Sequence, residues 1–321
     1  MAERILVTGA AGFAGRHLVA CLLERTPAPL LVGWRRPGSA AQATAEPPGN
    51  GSGRIAWQEI DVLDPAAVER AIAALRPDQV YHLAGAARVA GSWNSRVATL
   101  RTNVAGTEHV LEALRRSSPR ARILIPGSAL VYRPRDAAIE ETDPVGPNTP
   151  YGLSKLAQEM LGARYAADGL DVVLTRSFTH IGPGQDTAFA ASSFACQIAR
   201  IEAGLEEPTL RVGNLDARRD LLDVRDTVRG YRALMASGVS GAIYNVCSGQ
   251  AHRMADMLAG LLDQARVSID VRVDPARLRP SDHPLLLGNR ARITTDAGWK
   301  PGISLRATLR DLLDHWRAVV A

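Results

Sequence analysis

The stretch RILVTGAAGFAGRHLVACLL at the N-terminus constrains the fold more than any other part of the sequence. An apolar run is followed by Gly9, Gly12 and Gly15 and then by an amphipathic run, which predicts a strand, a tight turn and a helix. Glycines let the backbone approach a pyrophosphate at a helix N-terminus, where free N–H groups favour anions. Glycines also occupy such turns for steric reasons alone, but as the first strand–helix turn this one predicts dinucleotide binding.

The first half of the chain alternates short apolar runs with helical stretches. Strands are predicted in PLLVGW, RIAWQEID, QVYHLAG, ARILIPGS and DVVLTRSF, and GAIYNVCSG predicts one more strand that returns to the same sheet. Helices are predicted from Arg16 to Arg25 and from Pro65 to Leu75. This alternation predicts an α/β fold, a Rossmann-like doubly wound parallel sheet. We expect a cofactor domain at residues 1–182 and about 221–248, and a smaller, discontinuous α/β substrate lobe at about 183–220 and 249–321.

Composition narrows the ligand class. The 321 residues are 46% hydrophobic and 22% charged, which is typical of a globular enzyme. The net charge of +5 comes from scattered arginines, which favour a polyanionic small molecule over nucleic acid. Three widely spaced cysteines indicate neither disulfides nor a metal site, and neither a basic leader nor a membrane-length apolar run is seen. We expect a cytoplasmic protein without membrane or nucleic-acid partners.

The end of the second strand indicates which dinucleotide is bound. An acid there would bind the ribose of NAD, whereas a cation would accept the 2′-phosphate of NADP. LLVGWRRPG supplies Arg35 and Arg36 and no acid, so we predict NADP(H), with NAD(H) possible because arginine is abundant throughout. Asp61, at the tip of the third strand, is expected to accept from the adenine amino group. Three residues of HLAG are expected to lie along the cofactor or to pack in the core: Leu83, Ala84 and Gly85.

A tyrosine and a lysine indicate the chemistry. Only two of the 38 cationic side chains are lysines, Lys155 and Lys300. Tyr151 and Lys155 are four residues apart on a helix that begins after Pro150, so they share a face, and the ammonium is expected to favour the phenolate. Ser128 ends the preceding strand, where its hydroxyl can hold a substrate oxygen. Alone, the pair would be an ordinary surface contact and Ser128 a strand-end cap; together they predict a catalytic group.

TGAAGFAG, GSALVY and YGLSK resemble the motifs of the short-chain dehydrogenase/reductase superfamily, in its extended members that act on nucleotide sugars. The resemblance implies that Ser128 orients the substrate, that Tyr151 transfers the proton and that Lys155 hydrogen-bonds the nicotinamide ribose. It also implies a homodimer built through a four-helix bundle. Further cofactor contacts are expected at Phe13, Val62, Asn103 and Ile181, although Asn103 has an alternative role as a helix-interior amide satisfied by a neighbouring strand.

The second half resembles the GDP-mannose branch, above all the GDP-4-dehydro-6-deoxy-D-mannose reductases, in RSFTHIGPGQ, VGNLDARRDLLDVRD and RLRPSDHP. This implies NADPH-dependent reduction of the C4 keto group of a GDP-linked 4-keto-6-deoxy sugar, of the kind that yields GDP-D-rhamnose. Arg219 and Arg279 are expected to clamp the diphosphate, with structural ion pairs as the alternative. The predicted substrate contacts are Ser128, Thr179, Asn214, Arg219, Arg279 and Asp282.

Departures from the family pattern keep alternatives open. Thr179 stands where asparagine is common, and Arg133 where glycine is usual. The related 4,6-dehydratases carry an acid just after the catalytic Ser or Thr, whereas this chain has Ala129 and Leu130, so elimination lacks its base. The alternative enzymes are a nucleotide-sugar 4-epimerase or a 4,6-dehydratase with tightly bound NAD(P). A cofactor-sensing binding module is the alternative from another class.

Overall fold

The computed structural model describes residues 2–38, 55–277 and 284–321. The strands are β1 (Arg4–Thr8), β2 (Leu30–Arg35), β3 (Ile55–Glu59), β4 (Gln79–His82), β5 (Arg122–Ser128), β6 (Asp171–Ser177), β7 (Thr179–Ile181), β8 (Thr209–Val212), β9 (Arg218–Asp223), β10 (Ile243–Val246), β11 (Ala251–Arg253), β12 (Asp270–Val273) and β13 (Leu285–Leu286). The helices are α1 (Phe13–Leu23), α2 (Pro65–Leu75), α3 (Val89–Ser92), α4 (Arg96–Leu100), α5 (Gly106–Ser117), α6 (Pro150–Ala167), α7 (Ala190–Glu202), α8 (Val224–Ser237), α9 (Met254–Leu262), α10 (Ala291–Ala297) and α11 (Leu305–Val320). A π-helical turn, Arg101–Ala105, joins α4 to α5.

In the described part of the chain, seven parallel strands form the main sheet in the order β3–β2–β1–β4–β5–β6–β10. The sequence runs outward from β1 to β3 in one direction and from β4 to β10 in the other. The carboxyl ends of β1 and β4 therefore lie side by side, with Thr8 opposite His82, at the point where open α/β sheets bind ligands. The predicted doubly wound parallel sheet and the return of GAIYNVCSG to it are confirmed.

Both faces of this sheet are covered by helices, because successive strand side chains point to opposite sides. Ile5 and Val7 of β1 pack in one cluster with α1 and α8, while Leu6 packs in a second cluster with α2 and α5. All three side chains are fully buried. The alternation fixes the register of β1 and with it the position of the glycine turn that follows.

Two smaller sheets accompany the main one. Among the described residues, β9 pairs with β11, β13 and β7 in the second sheet, and β8 pairs with β12 in the third. A third apolar core joins α7, α9 and α11 beneath these strands. Helix α10, which falls in the predicted substrate lobe, instead packs against α8 and β10. The predicted division into two lobes at those boundaries stays a prediction. No helix in the described ranges is long and apolar enough to cross a membrane.

Candidate active site

The glycine turn leaves the N-terminus of α1 open. Gly9 has φ +65°, and a Cβ there would lie 2.7 Å from the backbone nitrogen of Ala84. A Cβ on Gly15 would lie 2.8 Å from the Cα of Ala10, so α1 packs closely on its own turn. Gly12 is the N-cap residue, and no side chain of the described residues caps the helix there. The amides of the first turn are therefore available to an anion, as the pyrophosphate of a dinucleotide requires.

Arg35 ends β2 beside this turn. Its Nη2 donates to Glu59 Oε1 at 2.9 Å, in an ion pair that is about one-quarter exposed on the arginine side and nearly half exposed on the glutamate side. The Nε of Arg35 is buried, and no acceptor among the described residues reaches it. Arg36 follows directly in the sequence. A cation with a spare donor at the end of β2, next to an uncapped helix, fits a dinucleotide that carries a 2′-phosphate.

Ser128 and Tyr151 meet where β5 ends. Helix α6 begins at Pro150 because Thr149 caps it, with its Oγ1 accepting from the amide of Gly152 at 2.9 Å. This start brings Tyr151 of α6 near Ser128 at the end of β5. Burial raises the pKa of Tyr151, and the Ser128 side chain opposes that rise. The phenol is therefore protonated near neutral pH, as a proton donor must be.

Lys155 lies one helical turn beyond Tyr151. Burial lowers its pKa to about 8, and its Nζ donates to Oε1 of Gln158. The expected lowering of the Tyr151 pKa by this ammonium is not found, because burial of the phenol raises that pKa instead.

Asn103 is fully buried in the π-helical turn. Its Oδ1 accepts from the amide of Ala86 at 2.7 Å, and its Nδ2 donates to Ser154 Oγ at 2.8 Å. The amide thereby ties the loop after β4 to the catalytic helix. These bonds fit the alternative role as a satisfied interior amide, and direct contact with the cofactor stays a prediction.

The other predicted cofactor residues lie around the same edge of the sheet. Phe13 stacks on the ring of His180, with centroids 5.9 Å apart. Asp61 Oδ1 accepts from the amide of Leu63 at 2.9 Å. Four of the predicted side chains pack wholly or partly into apolar clusters: Val62, Leu83, Ala84 and Ile181. Gly85 lies against Asn103, where a Cβ would be 2.9 Å from Oδ1.

Three of the predicted substrate residues, Thr179, Asn214 and Arg219, lie on the second sheet or in the loop before β9. Thr179 begins β7, directly after the core sheet. Asn214 is exposed, and its Oδ1 accepts from the amide of Asp216 at 2.8 Å. Arg219 lies on β9, where burial lowers its pKa. Arg279 and Asp282 lie outside the described residues. Their roles, like those of the other predicted site residues, stay predictions.

Comparison with known proteins decides the family. The sequence profile of the family described as GDP-mannose 4,6 dehydratase matches residues 6–312. The chain belongs to this family. The GDP-6-deoxy-D-mannose reductase of Pseudomonas aeruginosa is 36% identical over 326 residues, spanning 100% of this chain and 99% of the relative. The structure of RMD from Pseudomonas aeruginosa complexed with NADPH matches with a TM-score of 0.84 at 33% identity, over 99% of this chain and 100% of that one.

Other members are more distant. The NAD complex of UDP-glucose 4-epimerase from Thermus thermophilus has a TM-score of 0.85 at 28% identity, over 99% of this chain and 100% of that one. The dTDP-glucose 4,6-dehydratase of Streptomyces antibioticus is 28% identical, over 98% of this chain and 92% of the relative. The predicted membership of the extended short-chain dehydrogenases and the prediction of an NAD(P)-dependent enzyme are confirmed.

The turn that follows Ser128 bears on which reaction the site can support. Ala129 and Leu130 form a 3₁₀ turn directly after Ser128, and Ala129 is buried in an apolar cluster. Neither side chain can accept a proton, so this turn offers no base for elimination. The described residues also contain no cluster of His, Cys, Asp and Glu that could hold a metal ion.

Sequence reasoning missed a buried polar chain behind Lys155. His82, Thr107 and Gln158 are each at most 1% exposed and hydrogen-bonded to one another through Thr107. The one signal was Gln158, three residues after Lys155 and therefore on the same helix face. His82 and Thr107 come from other elements, and their contacts depend on how α5 and α6 pack against β4.

Proposed function

We propose that the protein is an NADPH-dependent reductase of the C4 keto group of a GDP-linked 4-keto-6-deoxy sugar, converting GDP-4-dehydro-6-deoxy-D-mannose to a GDP-D-rhamnose type of product. One observation carries the proposal: Ser128 lies near the buried Tyr151 phenol, whose pKa is raised, and an apolar turn follows Ser128 in place of an acid. Likeness to a GDP-6-deoxy-D-mannose reductase over the whole chain supports the substrate class.

Each group of residues has a separate role in the proposed ketone reduction. Gly9, Gly12 and Gly15 would receive the pyrophosphate of NADPH, and Arg35 and Arg36 its 2′-phosphate. When bound, NADPH supplies a hydride. Ser128 holds the C4 oxygen of the sugar, and Tyr151 gives its phenolic proton to that oxygen as charge develops on it. The Lys155 ammonium then stabilises the phenolate until a proton from solvent restores the phenol.

The second sheet supplies the substrate site in this proposal. Arg219 and Arg279 bind the diphosphate, Asn214 and Asp282 lie near the nucleoside, and Thr179 faces the sugar. Arginine suits this position because its planar fork of donors matches two phosphate oxygens at once. Arg219 is half-buried on β9, the strand that Thr179 of β7 adjoins, which supports a place for both at one site.

We also propose a homodimer. Three large apolar side chains on α4 and α6 are exposed, Val97 at 71%, Leu153 at 52% and Met160 at 65%. Leu153 and Met160 are seven residues apart and share one face of α6, and α4 packs beside that helix. A second copy presenting the same two helices would cover them. We propose the cytoplasm as the location, where the three unpaired cysteines stay reduced.

Cofactor stoichiometry tests the proposal. The protein is incubated with NADPH and a panel of GDP-, UDP- and dTDP-linked keto sugars while absorbance at the nicotinamide band is followed. We expect one NADPH consumed per GDP-4-keto sugar converted. Isomerised or dehydrated product without loss of NADPH would favour an epimerase or dehydratase, and NADPH binding without conversion of any sugar would favour a sensor.

A further inference from the structure

The buried chain behind the catalytic helix reaches Lys155 through one side chain, Gln158. We propose that Gln158 is a positioning residue for Lys155, and that Thr107 fixes its amide so that the carbonyl always faces the ammonium. The inference rests on the proposed role of Lys155 in the reaction, but the contacts that carry it are present in the protein without substrate.

Both ends of the Gln158 amide are used. Its side chain is 1% exposed, so water cannot replace its partners. Oε1 accepts from Lys155 Nζ, and Nε2 donates to Thr107 Oγ1 at 2.6 Å. The two ends of an amide have nearly the same shape, so the hydrogen bonds around it decide its orientation.

Thr107 decides that orientation. A threonine hydroxyl has one hydrogen and two acceptor sites. Thr107 gives its hydrogen to the backbone oxygen of Asn103 at 2.7 Å, a group that can only accept. Toward every other neighbour Thr107 is therefore an acceptor. A flipped Gln158 would turn an oxygen toward the Thr107 oxygen, a contact without a hydrogen, and an NH₂ toward the ammonium, a contact without an acceptor.

His82 fills the second acceptor site of Thr107. Its Nε2 lies 3.0 Å from Thr107 Oγ1, so Nε2 carries the hydrogen. Nδ1 lies 2.9 Å from Thr8 Oγ1 and accepts from it, while Thr8 accepts from the amide of Ala84 at 3.1 Å. Each hydrogen in the chain has one acceptor, so the arrangement is rigid from the glycine-turn strand to the catalytic helix.

The charges around Lys155 explain the choice of a neutral amide. Tyr151 lies one helical turn before it on α6, and the charge of Lys155 acts on His82 of β4. Burial, followed by the charge of Lys155, lowers the pKa of His82 to about 3, so the imidazole is neutral at pH 7. An amide oxygen steadies the ammonium without cancelling its charge. Of the three ammonium hydrogens, two then remain for the phenol and the ribose hydroxyls.

The rarity of lysine in this chain makes a direct test possible. Protein labelled with ¹³C-lysine gives side-chain NMR signals from Lys155 and Lys300 only. The Lys300→Arg variant, changed at an exposed residue, assigns the remaining signal to Lys155. Titrating that signal in ligand-free protein measures the pKa of Lys155 without reference to activity.

Two substitutions of Gln158 are expected to move this pKa in opposite directions. Gln158→Leu removes the acceptor, which should lower the midpoint by about one pH unit, the scale of a hydrogen bond to a charged group. Gln158→Glu supplies a negative charge and should raise it. Thr107→Val frees the amide to flip and should act like Gln158→Leu but more weakly, while Thr107→Ser keeps the hydroxyl and should match the parent.

The dependence of turnover on pH gives a second readout. Turnover should fall at high pH as Lys155 loses its charge, and this fall should occur at lower pH in Gln158→Leu. Should Gln158→Leu fail to fold, Gln158→Glu and the Thr107 pair carry the same test. Midpoints that stay at the parent value in the folded variants would overturn the proposal. The expected shifts in a protein that reduces no keto sugar would support Gln158 as the partner of Lys155 and count against the proposed function alone.

Discussion

At the scale of single residues, a substitution of Tyr151 best distinguishes an effect on the chemical step from an effect on cofactor binding. Tyr151→Phe keeps the ring that packs beside Ser128 and removes the proton. We expect turnover to fall by about 100- to 10,000-fold, as is usual for a lost general acid, with little change in NADPH affinity. Steady-state kinetics and fluorescence titration with NADPH measure the two effects. Near-normal turnover in the variant would mean that another group supplies the proton.

Arg35 and Arg36 should decide between the two cofactors. Replacing both with alanine removes the positive charge at the end of β2 and leaves Glu59 without its ion-pair partner. NADPH should then lose much more affinity than NADH, because only NADPH places a phosphate there. Isothermal titration with both cofactors tests this. An equal loss for NADPH and NADH would remove the assignment.

At the residue scale, the sequence predicts a candidate catalytic group, whose roles stay predictions, but it does not predict the buried contacts behind Lys155. Ser128, Tyr151 and Lys155 stand in short motifs whose spacing alone brings two of them onto one helix face. Thr107 and Gln158 are 51 residues apart in the chain, and their contact depends on the packing of α5 and α6 against the sheet. In the buried polar chain behind Lys155, which group donates in each hydrogen bond can be decided only when all of the bonded partners are known.

At the scale of elements, a buried ion pair fastens the catalytic helix to the sheet. Glu159 of α6 receives two hydrogen bonds from Arg176 of β6, at 2.7 and 2.8 Å, and both side chains are at most 7% exposed. Arg176 also lies over the Tyr132 ring, 4.5 Å from its centroid. Removing one partner of such a pair leaves the other charge buried and uncompensated.

Glu159→Gln should therefore lower the free energy of unfolding by about 3–5 kcal/mol. The matched control is Asp168→Asn, which breaks an exposed i,i+4 pair with Arg164 at the end of the same helix and should cost less than about 1 kcal/mol. Urea denaturation of the three proteins gives the comparison. Equal, small losses in both variants would mean that the buried pair contributes no more than a surface contact.

The sequence predicts the ends of a helix correctly where a local capping residue determines them. Helix α2 spans Pro65–Leu75 as predicted, because Asp64 caps it and proline takes the first position. A helix was predicted from Arg16 to Arg25, but α1 begins at Phe13, since the turn glycines lead directly into it. The pairing of β7 with β9 joins distant segments, and no local pattern encodes that contact.

At the scale of the whole molecule, buried histidines link stability to pH. Burial is the largest cause of a lowered pKa at His17, His82, His180 and His315, and His82 falls to about 3. Unfolded histidine titrates near pH 6.5, so below that pH the unfolded chain binds more protons than the folded one. The stability that these neutral histidines contribute is therefore fully present above about pH 6.5. It is lost as the pH falls through their lowered pKa values in the folded protein.

We expect the free energy of unfolding to decline steadily between about pH 6.5 and pH 4. His82→Gln removes the group with the largest resolved shift and keeps an N–H for Thr107, so it should flatten this decline. Urea denaturation at four pH values measures both proteins. A wild-type stability that stays level across this range would contradict the buried, neutral state of these rings.

Following the hydrogen from NADPH to the sugar is the most direct test of whether the protein is a C4 keto-sugar reductase. The protein is given GDP-4-dehydro-6-deoxy-D-mannose and NADPH deuterated at C4 of the nicotinamide, on the face from which transfer occurs, and the product is read by mass spectrometry and NMR. Direct hydride transfer predicts one deuterium at C4 of the deoxysugar for each NADPH consumed, and a much lower rate in Tyr151→Phe. A converted sugar that carries no deuterium, while the NADPH remains unspent, would contradict it.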